Sequence, residues 1–165
     1  MKKTILITVG LSLGIIGLML WGRSSSQTAV VSENIGAISS LTASEKLYDF
    51  GTISMADGKV EKVFKVTNLS AKDAILSSVE TSCMCTTAYI VNGGKEKGPF
   101  GMPGHGGPGA KANEVIKAGE SRDIKVVYDP NAHGPAGVGQ VDRFIDLTET
   151  NGGLTRLEIK AVVTP

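Results

Sequence analysis

The chain has 165 residues, of which 21 are glycine, and aromatic residues make up only 5% of it. The formal net charge is +1, from 17 basic and 16 acidic residues, and Lys2, Lys3 and Arg23 flank an N-terminal apolar segment. The remainder is close to neutral and has no basic stripe, so nucleic acid is excluded as an expected partner. Many glycines and few aromatic residues favour short strands and turns over packed helices.

Residues 4–21 carry no charged side chain and end in Trp21. As a helix, this segment would extend about 27 Å, which is at the short end of what crosses a bilayer. Lys2 and Lys3 precede it, which favours a cytoplasmic N-terminus. We therefore expect residues 1–22 to be a membrane anchor or signal segment. The C-terminal domain is then extracytoplasmic on a single-pass protein of the cell membrane.

Cleavage of this segment is the alternative, and it would make the domain a secreted one. The residues after Trp21 do not favour cleavage, because only the weak run Ser24-Ser25-Ser26 offers small side chains. Residues 23–44 are rich in serine and show little periodicity, so we predict a flexible linker there. A short first strand is expected within 41–43, at the end of this linker.

Short apolar runs separated by turn signals begin at Tyr48 and continue to Val163. The residues 124, 126 and 128 share one face of a strand, and residues 157, 159, 161 and 163 share one face of the last strand. Asp57-Gly58 and Asn151-Gly152-Gly153 are turn signals. This pattern predicts an all-β fold over residues 45–165, an immunoglobulin-like antiparallel β-sandwich of seven to eight strands.

Residues 92–113 form a segment rich in glycine and proline, with eight glycines and three prolines between Asn92 and Ala110. Proline removes backbone donors and glycine adds conformational entropy, so we predict an irregular insertion there. A long loop in a compact domain is usually functional or disordered. Its apolar side chains Phe100 and Met102 are candidate contacts for an envelope protein partner. A partner strand added at a sheet edge is a second way of binding.

Cys83 and Cys85 are the only cysteines, and they lie one residue apart within Thr81–Thr87. If this stretch is extended, both thiols face the same way and Met84 faces the opposite way. Two neighbouring thiolates prefer soft ions, so Cu(I) is a candidate cofactor. The further candidate ligands lie in the loops or beside the pair: Met102, His105, His133, Met84 and Met55. Zinc, with Cys83, Cys85, His105 and His133, is less favoured because the usual ligand spacings are absent.

Two further interpretations of the cysteines stay open. Outside the cytoplasm thiols oxidise, and this pair can close a small, easily reduced ring or form an intermolecular disulfide. The cysteines can also simply pack as small apolar residues at the end of a strand.

No enzyme is predicted, because His105 and His133 lie in glycine-rich loops without a nucleophile and base arranged together. The predicted function is that of a non-enzymatic interaction or structural module of the cell envelope. The alternative is a Cu(I)-binding or thiol-redox domain that uses Cys83 and Cys85.

Several short motifs occur in a fixed order along residues 45–163. They are Tyr48-Asp49-Phe50-Gly51-Thr52-Ile53, Phe64-Lys65-Val66-Thr67-Asn68, Ser82-Cys83-Met84-Cys85-Thr86, Ala118-Gly119-Glu120 and the closing strand through Val163. In this order they resemble a family of uncharacterised bacterial exported domains of unknown function with a Hydin-like immunoglobulin sandwich. The family usually has glycine where this chain has Met84, and proline-glycine where it has Ala118-Gly119. The resemblance implies the fold and export, and little about activity.

Overall fold

A computed structural model describes residues 37–104 and 111–165. The proposed anchor over residues 4–21, most of the linker, and His105 lie outside the described residues. In the part of the chain that is described, no helix has the length and apolar character needed to span a membrane. The regular elements there are ten strands and two short 3₁₀ helices, Met55–Asp57 and Gly134–Gly137.

The ten strands form two five-stranded sheets that share one apolar core. In chain order the strands are β1 Leu41–Ala43, β2 Leu47–Ser54, β3 Val60–Asn68, β4 Ala74–Thr81, β5 Thr86–Asn92, β6 Lys95–Phe100, β7 Lys111–Ile116, β8 Ser121–Tyr128, β9 Gly139–Glu149 and β10 Leu154–Thr164. The first sheet has the order β1-β3-β8-β5-β6, and the second has the order β2-β10-β9-β4-β7.

Alternate side chains along the strands are buried and form the core, as the sequence predicts. On β8 the side chains of Ile124, Val126 and Tyr128 are buried, and the intervening side chains are half-buried. Strand β10 likewise buries alternate side chains. Because neighbouring side chains of a strand point to opposite faces, each strand contributes one apolar row to the space between the sheets. The all-β prediction is confirmed.

The number of strands and one pairing differ from the prediction. There are ten strands rather than seven or eight, and β2 runs parallel to β10 whereas the other pairs are antiparallel. β2 comes early in the chain and β10 ends it, so no hairpin joins them and their relative direction is free to be parallel. β1 forms at 41–43 as expected, within the segment predicted as linker.

The segment 92–113 is more regular than its composition indicates. Gly93 and Gly94, with φ of 56° and 80°, form the two-residue turn of the hairpin that joins β5 to β6. A two-residue turn with positive φ at both positions matches the natural twist of a hairpin. Gly98 and Pro99 lie in β6 where its register with β5 shifts, at the edge of the first sheet. Glycine and proline are tolerated at edge strands and bulges, so here they shape a strand instead of excluding it.

Candidate functional site at the Cys83–Cys85 turn

The two cysteines lie in the turn that joins β4 to β5. The Thr86 amide donates a hydrogen bond to the Cys83 carbonyl over 3.1 Å, and the Thr81 hydroxyl donates to the same oxygen over 3.1 Å. The Asp129 amide, at the end of β8, donates to the Cys85 carbonyl over 2.9 Å. The extended conformation considered for this stretch is therefore wrong. A closed turn brings the two sulfur atoms together instead.

Cys83 and Cys85 are paired as a disulfide, with their Cα atoms 5.3 Å apart. The pair is asymmetric in its surroundings. Cys85 is 2% exposed and belongs to the apolar core, whereas Cys83 is half-buried and packs against the outside of that core. Met84, at the tip of the turn, is 56% exposed. Cys83 is thus partly exposed to solvent, whereas Cys85 is enclosed.

His133 is brought to Cys83 by the loop between β8 and β9. Its Nε2 atom lies 3.1 Å from the Cys83 Sγ atom. Asn131 holds the loop in place. Its backbone amide donates to Asp129 Oδ1 over 2.9 Å, and its side-chain Nδ2 atom donates to the Met55 carbonyl over 2.7 Å. The Sγ atoms of Cys83 and Cys85 and a ring nitrogen of His133 all lie within 4.8 Å of one another.

Arg143, on β9, contacts the other sulfur atom. Its Nε atom donates to Cys85 Sγ over 3.2 Å, and its Nη1 atom donates to the Asp142 carbonyl over 2.8 Å. Burial raises the pKa of the nearby Tyr128 phenol; the positive charge of Arg143 opposes this rise and the carboxylate of Asp129 adds to it. The Arg143 guanidinium therefore places a positive charge beside Cys85 at this end of the core.

The other predicted site residues have different places. Phe100 is the last residue of β6 and is 3% exposed in the core, so its side chain is not available as a surface contact, contrary to the prediction. Met102 is half-buried just beyond Gly101, whose carbonyl accepts a hydrogen bond from the Thr81 amide over 3.3 Å. The loop that carries Met102 thus starts beside the end of β4. Met55 packs against the core near the His133 loop, and Met84 points to solvent.

Of the candidate ligands, the structure brings His133 to the cysteines. Arg143 was missed by sequence reasoning. Its approach to Cys85 depends on the β4–β9 pairing, which places the Ser82 amide 3.0 Å from the Phe144 carbonyl. No spacing motif encodes such a pairing between segments about sixty residues apart, so only the correct strand register would have indicated it.

A family model described as "Protein of unknown function (DUF1573)" matches residues 41–98, which include the cysteine turn. This match agrees with the resemblance to a family of unknown function. A comparison with curated proteins gives no match.

Solved structures were also compared with this chain. A protein of unknown function from Porphyromonas gingivalis W83 is 19% identical with a TM-score of 0.54, over 76% of this chain and 50% of that one. The Vibrio cholerae VesB protease is 16% identical with a TM-score of 0.47, over 74% and 32%. The Pseudomonas aeruginosa CupB2 chaperone is 14% identical with a TM-score of 0.41, over 74% and 55%. The chain therefore spans about half or less of the first two proteins, and the first similarity supports the all-β fold.

Proposed function

We propose that this chain is a membrane-anchored, extracytoplasmic module of the cell envelope with an immunoglobulin-type sandwich. In this proposal its activity is non-enzymatic: in the reduced state it binds Cu(I) through Cys83, Cys85 and His133. The anchor would be residues 4–21, and the serine-rich segment after it would lift the sandwich off the membrane.

The observation that carries the copper proposal is the convergence of two sulfur atoms and one ring nitrogen within 4.8 Å. Cu(I) is a soft ion that accepts two or three ligands, and thiolate sulfur is among those it prefers. His133 Nε2 lies 3.1 Å from the Cys83 sulfur, so the imidazole is the natural third ligand. The sulfur atoms bind metal as thiolates, so the disulfide has to be reduced before the site exists. Copper binding would then depend on the redox state of the pair.

The test is a titration of the reduced full-length chain in detergent micelles with Cu(I), without oxygen and against a chromophoric Cu(I) chelator. We expect wild type to bind one ion, and the double variant Cys83→Ser/Cys85→Ser to bind none at this site. His133→Ala should weaken the affinity by at least about tenfold, since even outer-shell partners of metal ligands have effects of that size. Met84→Ala is the matched control and should bind as wild type does. Equal copper content in wild type and the double variant would end the proposal.

A further variant, His105→Ala, separates the two candidate histidines. If its loss of affinity exceeds that of His133→Ala, the third ligand comes from the long loop, as the sequence predicts. The anchor has its own test, the N-terminal sequence of the chain isolated from membranes. A start before residue 21 supports the anchor, whereas a start beyond Trp21 shows cleavage.

A second candidate function, binding of an envelope protein, is favoured by the outer face of the second sheet. Ile75 on β4 and Val115 on β7 are register partners, and they are 42% and 46% exposed. β7 is the last strand of its sheet, but two of its carbonyls, those of Asn113 and Val115, already accept hydrogen bonds from side chains of the first sheet, so the proposed contact is made by the exposed side chains of this face. A photo-crosslinking residue at position 115 should give one defined adduct in membranes. The same residue at position 63, on an exposed part of β3, should not. Equal crosslinking at both positions argues against a specific partner at β7.

A further inference from the structure

We propose that the Cys83–Cys85 disulfide exchanges with external thiols in one direction: the thiol attacks Cys83, and Cys85 is the leaving sulfur. This inference deepens the proposed function. It rests on that function in one respect, because opening the disulfide releases the two sulfur ligands of the proposed metal site. The direction follows from the different surroundings of the two sulfur atoms.

Access favours attack at Cys83. In thiol–disulfide exchange the rate depends on which sulfur atom an incoming thiolate can reach. Cys83 is half-buried, and its neighbour His133 is exposed. Cys85 is 2% exposed and its sulfur lies 3.7 Å from the Thr86 hydroxyl inside the core. An external thiol therefore meets Cys83 first.

Charge favours departure of Cys85. The Arg143 Nε–H group donates to Cys85 Sγ over 3.2 Å. A hydrogen bond from Arg143 Nη1 to the Asp142 backbone carbonyl holds the guanidinium there. A permanent cation gains little from a neutral disulfide sulfur, but it makes a charge-assisted hydrogen bond to a thiolate. Cys83 Sγ has two polar neighbours of its own, the Cys85 amide at 3.3 Å and His133 Nε2 at 3.1 Å, but neither is a permanent cation. The permanent positive charge stands at Cys85.

The reaction has two steps. In the first, a thiolate attacks Cys83 Sγ, the Cys83–Cys85 bond breaks, and its electron pair leaves with Cys85 as a thiolate beside Arg143. The new bond joins Cys83 to the attacking sulfur. In the second, another thiolate attacks that external sulfur and releases Cys83 as a thiolate. The cysteine pair gains two electrons, and the external thiols lose two and become a disulfide. The co-reactant is thus a pair of small thiols or a protein with a dithiol.

The test uses the oxidised full-length chain in detergent micelles, free of metal. Glutathione is added, the reaction is stopped within its first turnover by excess N-ethylmaleimide, and the peptide with both cysteines is fragmented in a mass spectrometer. We expect at least about ten times more glutathione on Cys83 than on Cys85, with maleimide on Cys85. Equal labelling, or an excess on Cys85, would overturn the proposal.

The role of Arg143 is tested by Arg143→Gln, which should slow the first step about tenfold. A tenfold change corresponds to a rise of about 1.4 kcal/mol in the activation free energy. Arg156→Gln removes the same charge from an exposed pair with Asp146 and should change the rate less than twofold. Arg143→Lys keeps a cation and should restore part of the rate, even if the glutamine variant folds poorly. A wild-type rate in both the Arg143→Gln and the Arg143→Lys variants would contradict the leaving-group assignment.

The source of the thiol is distinguished by a parallel reaction with a Cys-x-x-Cys reductase at the same thiol concentration. Faster reduction by the protein assigns a protein dithiol, and equal or slower reduction assigns small thiols. These measurements are independent of copper. If glutathione is found on Cys85 while the reduced chain binds Cu(I) normally, the direction of exchange is rejected and the metal site is not. If glutathione is found on Cys83 while the reduced chain binds no Cu(I), the metal site is rejected and the direction is not.

Discussion

The two ends of β4 carry polar groups of very different character. At the start of the strand, Leu76 is the register partner of Glu114 on β7 and of Glu149 on β9. At the other end, Thr81 leads into the Cys83–Cys85 turn. We refer to the first region, with Glu114, Arg122, Glu149 and their partners, as the carboxylate end. The second, with Cys83, Cys85, His133 and Arg143, is the sulfur end.

Polar groups at the carboxylate end are already paired. Glu149 is 3% exposed, and its carboxylate accepts hydrogen bonds from the Ser39 hydroxyl over 2.6 Å and from both the amide (2.8 Å) and the hydroxyl of Ser40. Arg122 donates to Glu114 over 2.9 Å and to the Val115 carbonyl over 2.8 Å, which joins β8 of one sheet to β7 of the other. Within residues 37–104 and 111–165, no buried side-chain nitrogen or oxygen is without a partner.

A cavity of about 490 Å³ also lies at the carboxylate end, and Ser40, Lys72, Asp73 and Glu149 are among the residues that line it. Its acceptors are largely engaged, since Glu149 is bound by Ser39 and Ser40 and the Asp73 carboxylate accepts from the Ala118 amide over 3.2 Å. Filling it would give a ligand few new hydrogen bonds. Concavity alone therefore does not make this region the better candidate site.

At the sulfur end, by contrast, polar groups interact more strongly with the sulfur atoms once the disulfide is reduced. A cation and an imidazole lie 3.2 and 3.1 Å from sulfur atoms that are neutral in the disulfide. Reduction gives those atoms negative charge, so the Arg143 contact becomes a charge-assisted hydrogen bond, and the imidazole contact is strengthened when Nε2 carries the proton. Charged groups at the carboxylate end already have their hydrogen-bond partners, so they stabilise the fold. Polar groups at the sulfur end lie beside sulfur atoms that can be reduced, so they are suited to a change of redox state.

The largest expected effect is loss of stability from Glu149→Ala. Removing the carboxylate leaves the amide and the hydroxyl of Ser40 in a half-buried site without their acceptor and takes one partner from the Ser39 hydroxyl, which should cost about 3 kcal/mol. Urea unfolding of the full-length chain followed by far-ultraviolet circular dichroism measures it. Glu149→Gln keeps one oxygen acceptor and should cost about half as much. If Arg143→Ala proves as costly as Glu149→Ala, the distinction between the two ends fails.

A second effect is the pH dependence of the Arg122–Glu114 pair. Burial alone would raise the pKa of Glu114, but hydrogen bonds and charge from Arg122 and Lys97 outweigh it and lower the pKa below 4.5. A carboxyl whose pKa is lowered on folding stabilises the fold above its ordinary pKa, and this stabilisation disappears as the pH falls through the folded-state pKa. The free energy of unfolding should therefore fall below about pH 4.5.

Arg122→Gln should weaken that part of the pH dependence, leaving only the share due to Lys97, and cost about 2 kcal/mol at neutral pH, because Glu114 keeps its burial and loses its Arg122 partner. Unfolding midpoints between about pH 3 and 7 measure both effects. Arg156→Gln, at an exposed pair, is the matched control and should change stability by less than about 1 kcal/mol. Identical pH profiles for wild type and Arg122→Gln would show that the ion pair does not act as described.

Strong period-two patterns made the core predictable. The sequence correctly indicates the buried rows of β8 and β10, because alternation specifies which face is inward. It predicts too few strands because glycine and proline in 92–113 indicate a break in regular structure. Gly93 and Gly94 instead make a hairpin turn, and Gly98-Pro99 lies at an edge where the lost donor is tolerated.

The site was predictable in part. Two cysteines one residue apart indicate a sulfur site wherever they lie, and His133 was among the candidate ligands. The position of Arg143 was not predictable, because it depends on the pairing of segments far apart in sequence. Phe100 was misplaced for a related reason. An aromatic residue in a glycine-rich stretch looks exposed until the strand β6 carries it into the core.

A smaller effect is expected when the disulfide is reduced. A single residue separates the cysteines, so the chain-entropy model for so short a loop gives only about 1.5 kcal/mol. Urea unfolding with and without dithiothreitol measures the loss, and Cys83→Ser/Cys85→Ser, which has no disulfide to reduce, should respond to dithiothreitol by less than about 0.5 kcal/mol. A loss above about 3 kcal/mol would show that the sulfur end is as structural as the carboxylate end.

The smallest effect is expected from Met84→Ala. Met84 lies between the two cysteines but is 56% exposed at the tip of the turn, so truncating it removes little buried surface. Stability should change by less than about 0.5 kcal/mol, and the ratio of glutathione on Cys83 to Cys85 should not change. The second measurement matters more, because Met84 is the neighbour of both cysteines in the sequence. If truncation shifts labelling toward Cys85, the methionine itself controls access to the pair. The asymmetry would then depend on the tip of the turn and not on the burial of Cys85.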